Sequence, residues 1–313
     1  MKTFTASAAT PPQYELAEGV IWDDIHGLVR WVNIWAGEIL SAILEAGLLT
    51  SITATRVGQT AGAVALAADG GILVAGARGL ITISPEGIRT DGPDLLGDRV
   101  HVRFNDGAVD PHGRFIVGTV SLGEPTGGEQ LLRISPDGTM EVLRSEVQLS
   151  NGIAWSPDGH TIYHVDTLAG TVSSHPYDAG DLIDPAHWQT VLDDFPALPD
   201  GLTVDSEGML WVAQWGARCV LCYTPQGDLL ASVEVDATQV SCAGFVGPGL
   251  DTLAITTATE GLSHDTGDAS GAIFVADVGV RGVPENRWRG STRSPSWTHP
   301  RIQGRKLERE ITR

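Results

Sequence analysis

Four residues of this chain, Glu18, Asp106, Asn151 and Asp200, carry a side-chain oxygen and stand immediately before a glycine. Their settings are alike: "AEGVIWD", "NDGAVDPHG", "SNGIAWSPDG" and "PDGLTVDSEG". If the four side chains meet, three of them are carboxylates, and like charges at close range raise one another's pKa. A bound cation removes that cost. Glu, Asp and Asn form a hard oxygen set of the kind that Ca²⁺, Mg²⁺ or Mn²⁺ takes. Taken singly, Asn-Gly and Asp-Gly are common turn dipeptides. Glu18 is a poor turn residue, however, and turns do not explain a shared register. Together the four point to a metal site.

The elements that must position them recur. An X-Gly step, a short alternating apolar run, a Gly-containing turn and a second run rich in Val, Ile, Leu and Trp appear six times, with first glycines at Gly19, Gly62, Gly107, Gly152, Gly201 and Gly244. The steps between them are 43, 45, 45, 49 and 43 residues. All-strand units of this period predict an all-β fold, a six-bladed β-propeller of four-stranded antiparallel blades. Two separate sandwiches would need no such register. The later turns, at His112-Gly113, Asp158-Gly159 and Glu207-Gly208, are read as hairpins joining the first two strands of a blade. Each X-Gly step is then expected just before an innermost strand, at one mouth of a central channel.

The propeller is expected over residues 1–283 as one domain, with 284–313 a basic, flexible C-terminal tail; deletion of residues 287–313 is expected to leave melting temperature and activity nearly unchanged. Residues 281–313 hold 9 of the 20 basic residues and 3 of the 39 acidic ones, against a net charge of −19 for the whole chain. So acidic a body repels phosphate backbones, which argues against a nucleic-acid partner. No apolar run reaches the length of a membrane span, which argues against a membrane partner, and the opening "MKTFTASAATPPQYEL" does not read as a secretory signal. Three cysteines make no disulfide framework, and a reduced, cytoplasmic setting is the default.

From residue 14 to 283 the ordered series "LAEGVIWD", "RFNDGAVDPHGRFIVGTV", "SNGIAWSPDGHTIYHVDT", "PDGLTVDSEGMLWVAQW" and "GAIFVADVGVRGVP" resembles the gluconolactonase family, which includes regucalcin and luciferin-regenerating enzyme. The resemblance implies a six-bladed propeller with one divalent cation in its channel: calcium first, with Mg, Mn, Zn or Fe as alternatives. It implies Glu18, Asn151 and Asp200 as metal ligands, Arg103 and Asn105 as substrate-binding residues, and Asp106 as a second acid near the metal. One segment departs from the pattern. Where regucalcin-type relatives carry paired acids, this chain reads "GTVSLGEPTGG", with Gly123 in the acid's place and Glu124 one residue away as its substitute.

Lactone hydrolysis needs a polarised carbonyl, a nucleophilic water and a proton acceptor. A cation supplies the first, and Asp200 or Asp106 the last as general base. The expected function is therefore divalent-metal-dependent hydrolysis of a sugar lactone to the aldonic acid, with a small-molecule lactone as partner. Two alternatives remain: an apolar lactone or phosphotriester as substrate, or a non-enzymatic calcium-binding propeller. Other constellations carry less. Cys219 and Cys222 sit three apart in a predicted strand, hence on opposite faces. No G-x-S-x-G or H-E-x-x-H is present. His101 and His164 read as packing or hydrogen-bonding groups. Asp166 either lines the site or caps a turn. Trp22, Trp31, Trp155 and Trp211 read as packing residues, and Trp215 lies nearer the channel mouth.

Overall fold

The computed structural model describes residues 1–124, 127–178, 183, 187–263 and 267–296. Among these there is no α-helix, and no helix long and apolar enough to cross a membrane. The chain is an all-β propeller, but the expected six separate four-stranded antiparallel blades need correction. Four discrete four-stranded blades are present. They begin with strands Ala17–Asp23, Ala61–Leu66, Val102–Val109 and Ser150–Trp155. The last two repeats instead merge into one nine-stranded sheet. Its halves join where Trp215, ending Leu210–Trp215, pairs with Gln239, opening Gln239–Val246. The amino-terminal strands complete its edges: Lys2–Thr5 runs parallel to Leu229–Glu234, and Ser7–Ala8 pairs with Phe274–Ala276. A repeat period reports unit length; it does not report whether neighbouring units share a hydrogen bond, nor that a distant segment covers an open edge.

The X-Gly steps lie inside the innermost strands rather than before them, and the first five coincide with a break in pairing, while at the sixth the break precedes Ala243-Gly244. Register shifts fall between Glu18 and Ile21, Ala61 and Ala63, Phe104 and Gly107, Ser150 and Ile153, Pro199 and Leu202, and Val240 and Cys242. Such bulges re-aim a side chain out of the pleat's alternation. The glycines have a second task. A Cβ on Gly62 would lie 2.6 Å from the carbonyl oxygen of Asn105, one on Gly152 2.7 Å from that of Asp200, and one on Gly201 2.6 Å from the Cα of Cys242. At Gly244 it would collide with the carbonyl of Val20, so the last repeat closes on the first. The hairpin turns behave as the sequence suggests, with Gly113, Gly159 and Gly208 at φ of 81°, 75° and 85°.

Packing follows distance from the axis. Ala61–Leu66, Ser150–Trp155 and Gln239–Val246 are buried along their whole length, whereas Leu48–Arg56 is largely exposed. Trp22, Trp31, Trp155 and Trp211 are all buried in the core clusters, as packing residues should be.

The start of the presumed tail is also different. Trp288 is 2% exposed and packs in the core beside Ala67 and Leu73. Its backbone donates to Leu66 and accepts from Ala68, while Thr292 binds Asp69. Composition suggested a loose extension because basic residues dominate the segment; one aromatic and two backbone bonds outweigh them. Residues 297–313 lie outside the described residues. Trp288→Ala is therefore expected to lower the unfolding free energy by about 3 kcal/mol or more, measured by denaturant titration. A loss under about 1 kcal/mol would show that the segment is not part of the core.

Candidate functional site

First and second strands run antiparallel, so first-strand starts lie beside second-strand ends. Ala17 pairs with Asn33, Ser150 with Asp166 and Leu198 with Trp215. Side chains from both sets face one end of the channel and enclose a cavity of about 240 Å³. Five of the seven residues singled out from the sequence line it: Glu18, Arg103, Asn105, Asn151 and Asp200. Two do not. Asp106 lines a separate cavity of about 220 Å³ with Cys242 and Glu285, at the hairpin end of the same strands. Glu124 is exposed and borders neither cavity.

Glu18 and Asp200 are 6% and 5% exposed. Burial, reinforced by Asp106, pushes Glu18 up to about 8. Burial, with Glu18, Asp106 and Glu260 adding like charge, pushes Asp200 well above the usual carboxylate range. Asp106 itself is raised to about 6 by burial, partly offset by the Gly107 amide. Glu18 accepts one backbone bond, from Gly19 at 2.9 Å, and Asp200 Oδ1 is buried with no partner. An orphaned carboxylate oxygen beside a second buried carboxylate fits a hard cation. Among the described residues no three of His, Cys, Asp and Glu converge to hold a metal. The neutral side chain of Asn151 lines the same cavity as Glu18 and Asp200.

A continuous chain of contacts runs along the wall. Asn151 Nδ2 donates to Thr167 Oγ1 at 2.9 Å, and Asn151 Oδ1 accepts from Asn105 Nδ2 at 2.7 Å. Asn105 Oδ1 accepts from the Arg103 guanidinium at 2.7 Å. That guanidinium lies over the ring of Trp35, 4.9 Å from its centroid, and Trp35 Nε1 donates to Glu260 Oε1 at 2.8 Å. Burial lowers Arg103 to about 10, with Glu260 and Glu18 opposing the shift, so it stays charged at neutral pH. Its Nε has no partner.

Ser150 and His164 resemble a nucleophilic dyad, with Oγ and Nε2 2.8 Å apart. The second ring nitrogen settles their roles. Nδ1 lies 3.1 Å from the Arg144 guanidinium, which can only donate. Nδ1 therefore accepts, Nε2 carries the proton, and His164 donates to Ser150 instead of activating it. Burial, aided by Arg144, keeps His164 well below its ordinary pKa. The Ser150 carbonyl accepts from Asn105 Nδ2 at 2.9 Å, so the pair orients the site. Asp166 caps a turn by accepting from the amides of Gln148 and Leu149. His101 is exposed and borders neither cavity. Cys219 and Cys222 pack into different core clusters, as alternation requires.

Sequence reasoning missed Trp35, Thr167 and Glu260. All three follow a second strand by one or two residues: Leu28–Asn33, Thr161–Asp166 and Thr252–Ala258. Folding each hairpin about its turn glycine would have placed them opposite the X-Gly steps. Trp215, left open from the sequence, lines the cavity, as do Leu168 and Leu198 at its exposed rim.

Comparison with known proteins agrees with this architecture. Pentonolactonase XacC of Haloferax volcanii is 33% identical over 292 residues, spanning 90% of this chain and 98% of the relative. The 6-deoxy-6-sulfogluconolactonase of Pseudomonas putida is 31% identical over 290 residues, spanning 88% and 95%. The crystal structure of a calcium-binding protein, regucalcin, from Agrobacterium tumefaciens superimposes with a TM-score of 0.85 at 28% identity, covering 92% of this chain and 99% of that one. Residues 16–259 match the family described as the SMP-30/Gluconolactonase/LRE-like region, and the chain belongs to that family.

Proposed function

We propose that this protein is a hydrolase that opens a sugar lactone to the aldonic acid with one divalent cation, calcium by its oxygen donors, held by Glu18, Asn151 and Asp200. One observation carries the reading: buried Glu18 and Asp200, the latter with an orphaned oxygen, share a cavity with Arg103 and Asn105. The names of the two lactonases and of the calcium-binding regucalcin support it. A cation in this position supplies Lewis acidity toward the lactone carbonyl. Arg103, already stacked and bonded, directs its remaining N–H groups at the substrate's oxygens, and Asn105 fixes Arg103 and Asn151 together. Asp200 takes a proton from the attacking water. The ring oxygen receives one as the carbon–oxygen bond breaks. Asp106, which lines the second cavity, is the alternative base.

A second reading has one observation in its favour. The rim is apolar, with Leu168 and Leu198 37% and 40% exposed. An apolar lactone or phosphotriester would suit that rim; the buried polar floor suits a sugar. Rates on a panel of aldonolactones and alkyl lactones decide between them.

Chelation is expected to abolish turnover and lower the melting temperature together, because a ligand bound only by the native state adds RT ln(1 + [L]/Kd) to stability. Glu18→Gln should weaken metal affinity and leave the fold intact. Full activity after exhaustive chelation, with no metal found by elemental analysis, would remove the cation from the scheme.

Asp200→Asn keeps an oxygen for the cation and loses the ionisable group. At saturating cation, kcat should fall by roughly 10²–10⁴. If kcat is near normal, the base role passes to Asp106, and Asp106→Asn must then show the loss. If both variants remain active, neither carboxylate is the base.

The pH dependence of the metal-free protein has a definite sign. Glu18 titrates at about 8 in the fold against an ordinary 4.5, so it contributes stability fully at low pH and loses it as pH rises through that window. Asp106, raised from 3.8 to about 6, acts in the same direction. The melting temperature of chelated protein should therefore fall between about pH 5 and pH 8, and saturating calcium should flatten the decline. A chelated protein whose stability is level or rises across this range would contradict the buried pair.

A further inference from the structure

Glu260 lines the same cavity, which neither Gly123 nor Glu124 of "GTVSLGEPTGG" borders. It follows strand Thr252–Ala258 and is anchored by its own backbone, whose amide donates to the Glu15 carbonyl at 3.0 Å. One carboxylate oxygen, Oε1, accepts from Trp35 Nε1 at 2.8 Å. Oε2 has no hydrogen-bond partner among the described residues. The residue is half-buried near Asp200, a carboxylate of like charge, and Arg103 is the nearby cation. A carboxylate gains nothing in stability from a second carboxylate at short range. It gains from a donor brought in with the ligand.

We propose that Glu260 is the hydroxyl-binding acid of this site. Trp35 fixes its Oε1, and its Oε2 accepts a hydrogen bond from a ring or side-chain hydroxyl of the lactone. The proposal rests on the sugar-lactone function above and assigns the role that Glu124, exposed and outside the cavity, does not fill. Arg103 and Glu260 are joined through Trp35, so donor and acceptor are set at a fixed separation on the wall. A substrate must then present an acceptor to Arg103 and a hydroxyl donor to Glu260, which selects polyhydroxylated lactones over unsubstituted rings.

The test compares wild type with Glu260→Gln and Trp35→Phe, each checked for an unchanged melting temperature. Turnover is measured on an aldonolactone and on δ-valerolactone, the same ring without hydroxyls. Binding of the corresponding aldonolactam, which resists hydrolysis, is measured by calorimetry. Glu260→Gln should raise KM for the aldonolactone and Kd for the lactam by about tenfold or more, since a charge-assisted bond is lost. Its kcat, and its KM for δ-valerolactone, should stay within about twofold. Trp35→Phe should give a smaller change in the same direction. Unchanged lactam affinity, or an equal loss on both lactones, overturns the role of Glu260. Wild-type protein that binds the lactam but opens no lactone overturns the hydrolytic function instead, and Glu260 is then judged on lactam affinity alone. Failure of wild type to bind the lactam overturns both.

Discussion

Every feature of the site depends on how closely the innermost strands approach one another. At Gly62, Gly152, Gly201 and Gly244 the backbone of the next repeat occupies the space a Cβ would need. The approach leaves no room for side chains between the strands, so the residue before each glycine must turn elsewhere. The bulge supplies the turn. Asn151 and Asp200 enter one cavity for this reason; Glu18 joins them from a step whose glycine, Gly19, has open space at its Cβ position and a φ of 57°, and Ala61 and Ala243 occupy the equivalent steps without adding charge.

That crowding creates an electrostatic problem which the polar wall solves only in part. From Thr167 to Glu260 each residue meets the next, through bonds of 2.7 to 2.9 Å and one cation–π contact. Glu18 and Asp200 stand outside this chain. A buried carboxylate without a partner either takes up a proton or takes up a cation. The fold therefore sets a pre-bonded polar wall beside a pair of buried carboxylates that stand outside it.

The strand content, the repeat and the shared placing of Glu18, Asn151 and Asp200 were legible in the sequence because each rests on local chemistry, whereas Arg103 and Asn105 were marked by the family resemblance. Turn glycines, alternation and the X-Gly spacing are written within a few residues of one another. What was not legible depends on distance. The merging of the last two repeats turns on a single pairing, Trp215 with Gln239, and on strands supplied from residues 2–8. Asp106 shares its motif with Asp200, yet it opens into the other cavity, since the bulge there spans Phe104 to Gly107 and places Asn105 where its counterparts put the pre-glycine residue. Trp288 was hidden by its basic neighbours, because composition averages over a segment while packing acts on one ring.

The two ends of the chain are stitched together, and this shapes how the protein is made. Ser241 donates to the carbonyl of Ala17 across 224 residues, and Ile273 donates to Thr10 across 263. The strand Lys2–Thr5 cannot find its edge until Leu229–Glu234 of the fifth repeat has left the ribosome, and Ser7–Ala8 must wait for Phe274–Ala276 of the last. At about 5–20 residues per second, the amino terminus waits on the order of ten seconds or more with its backbone donors unpaired. Four discrete blades can form during that interval from contacts local in sequence. Ring closure is the step of highest contact order and hence the slow one. The cavity gains Leu16 and Glu260 only at closure, so a nascent chain carries Asn151 and Asp200 well before it carries a complete site.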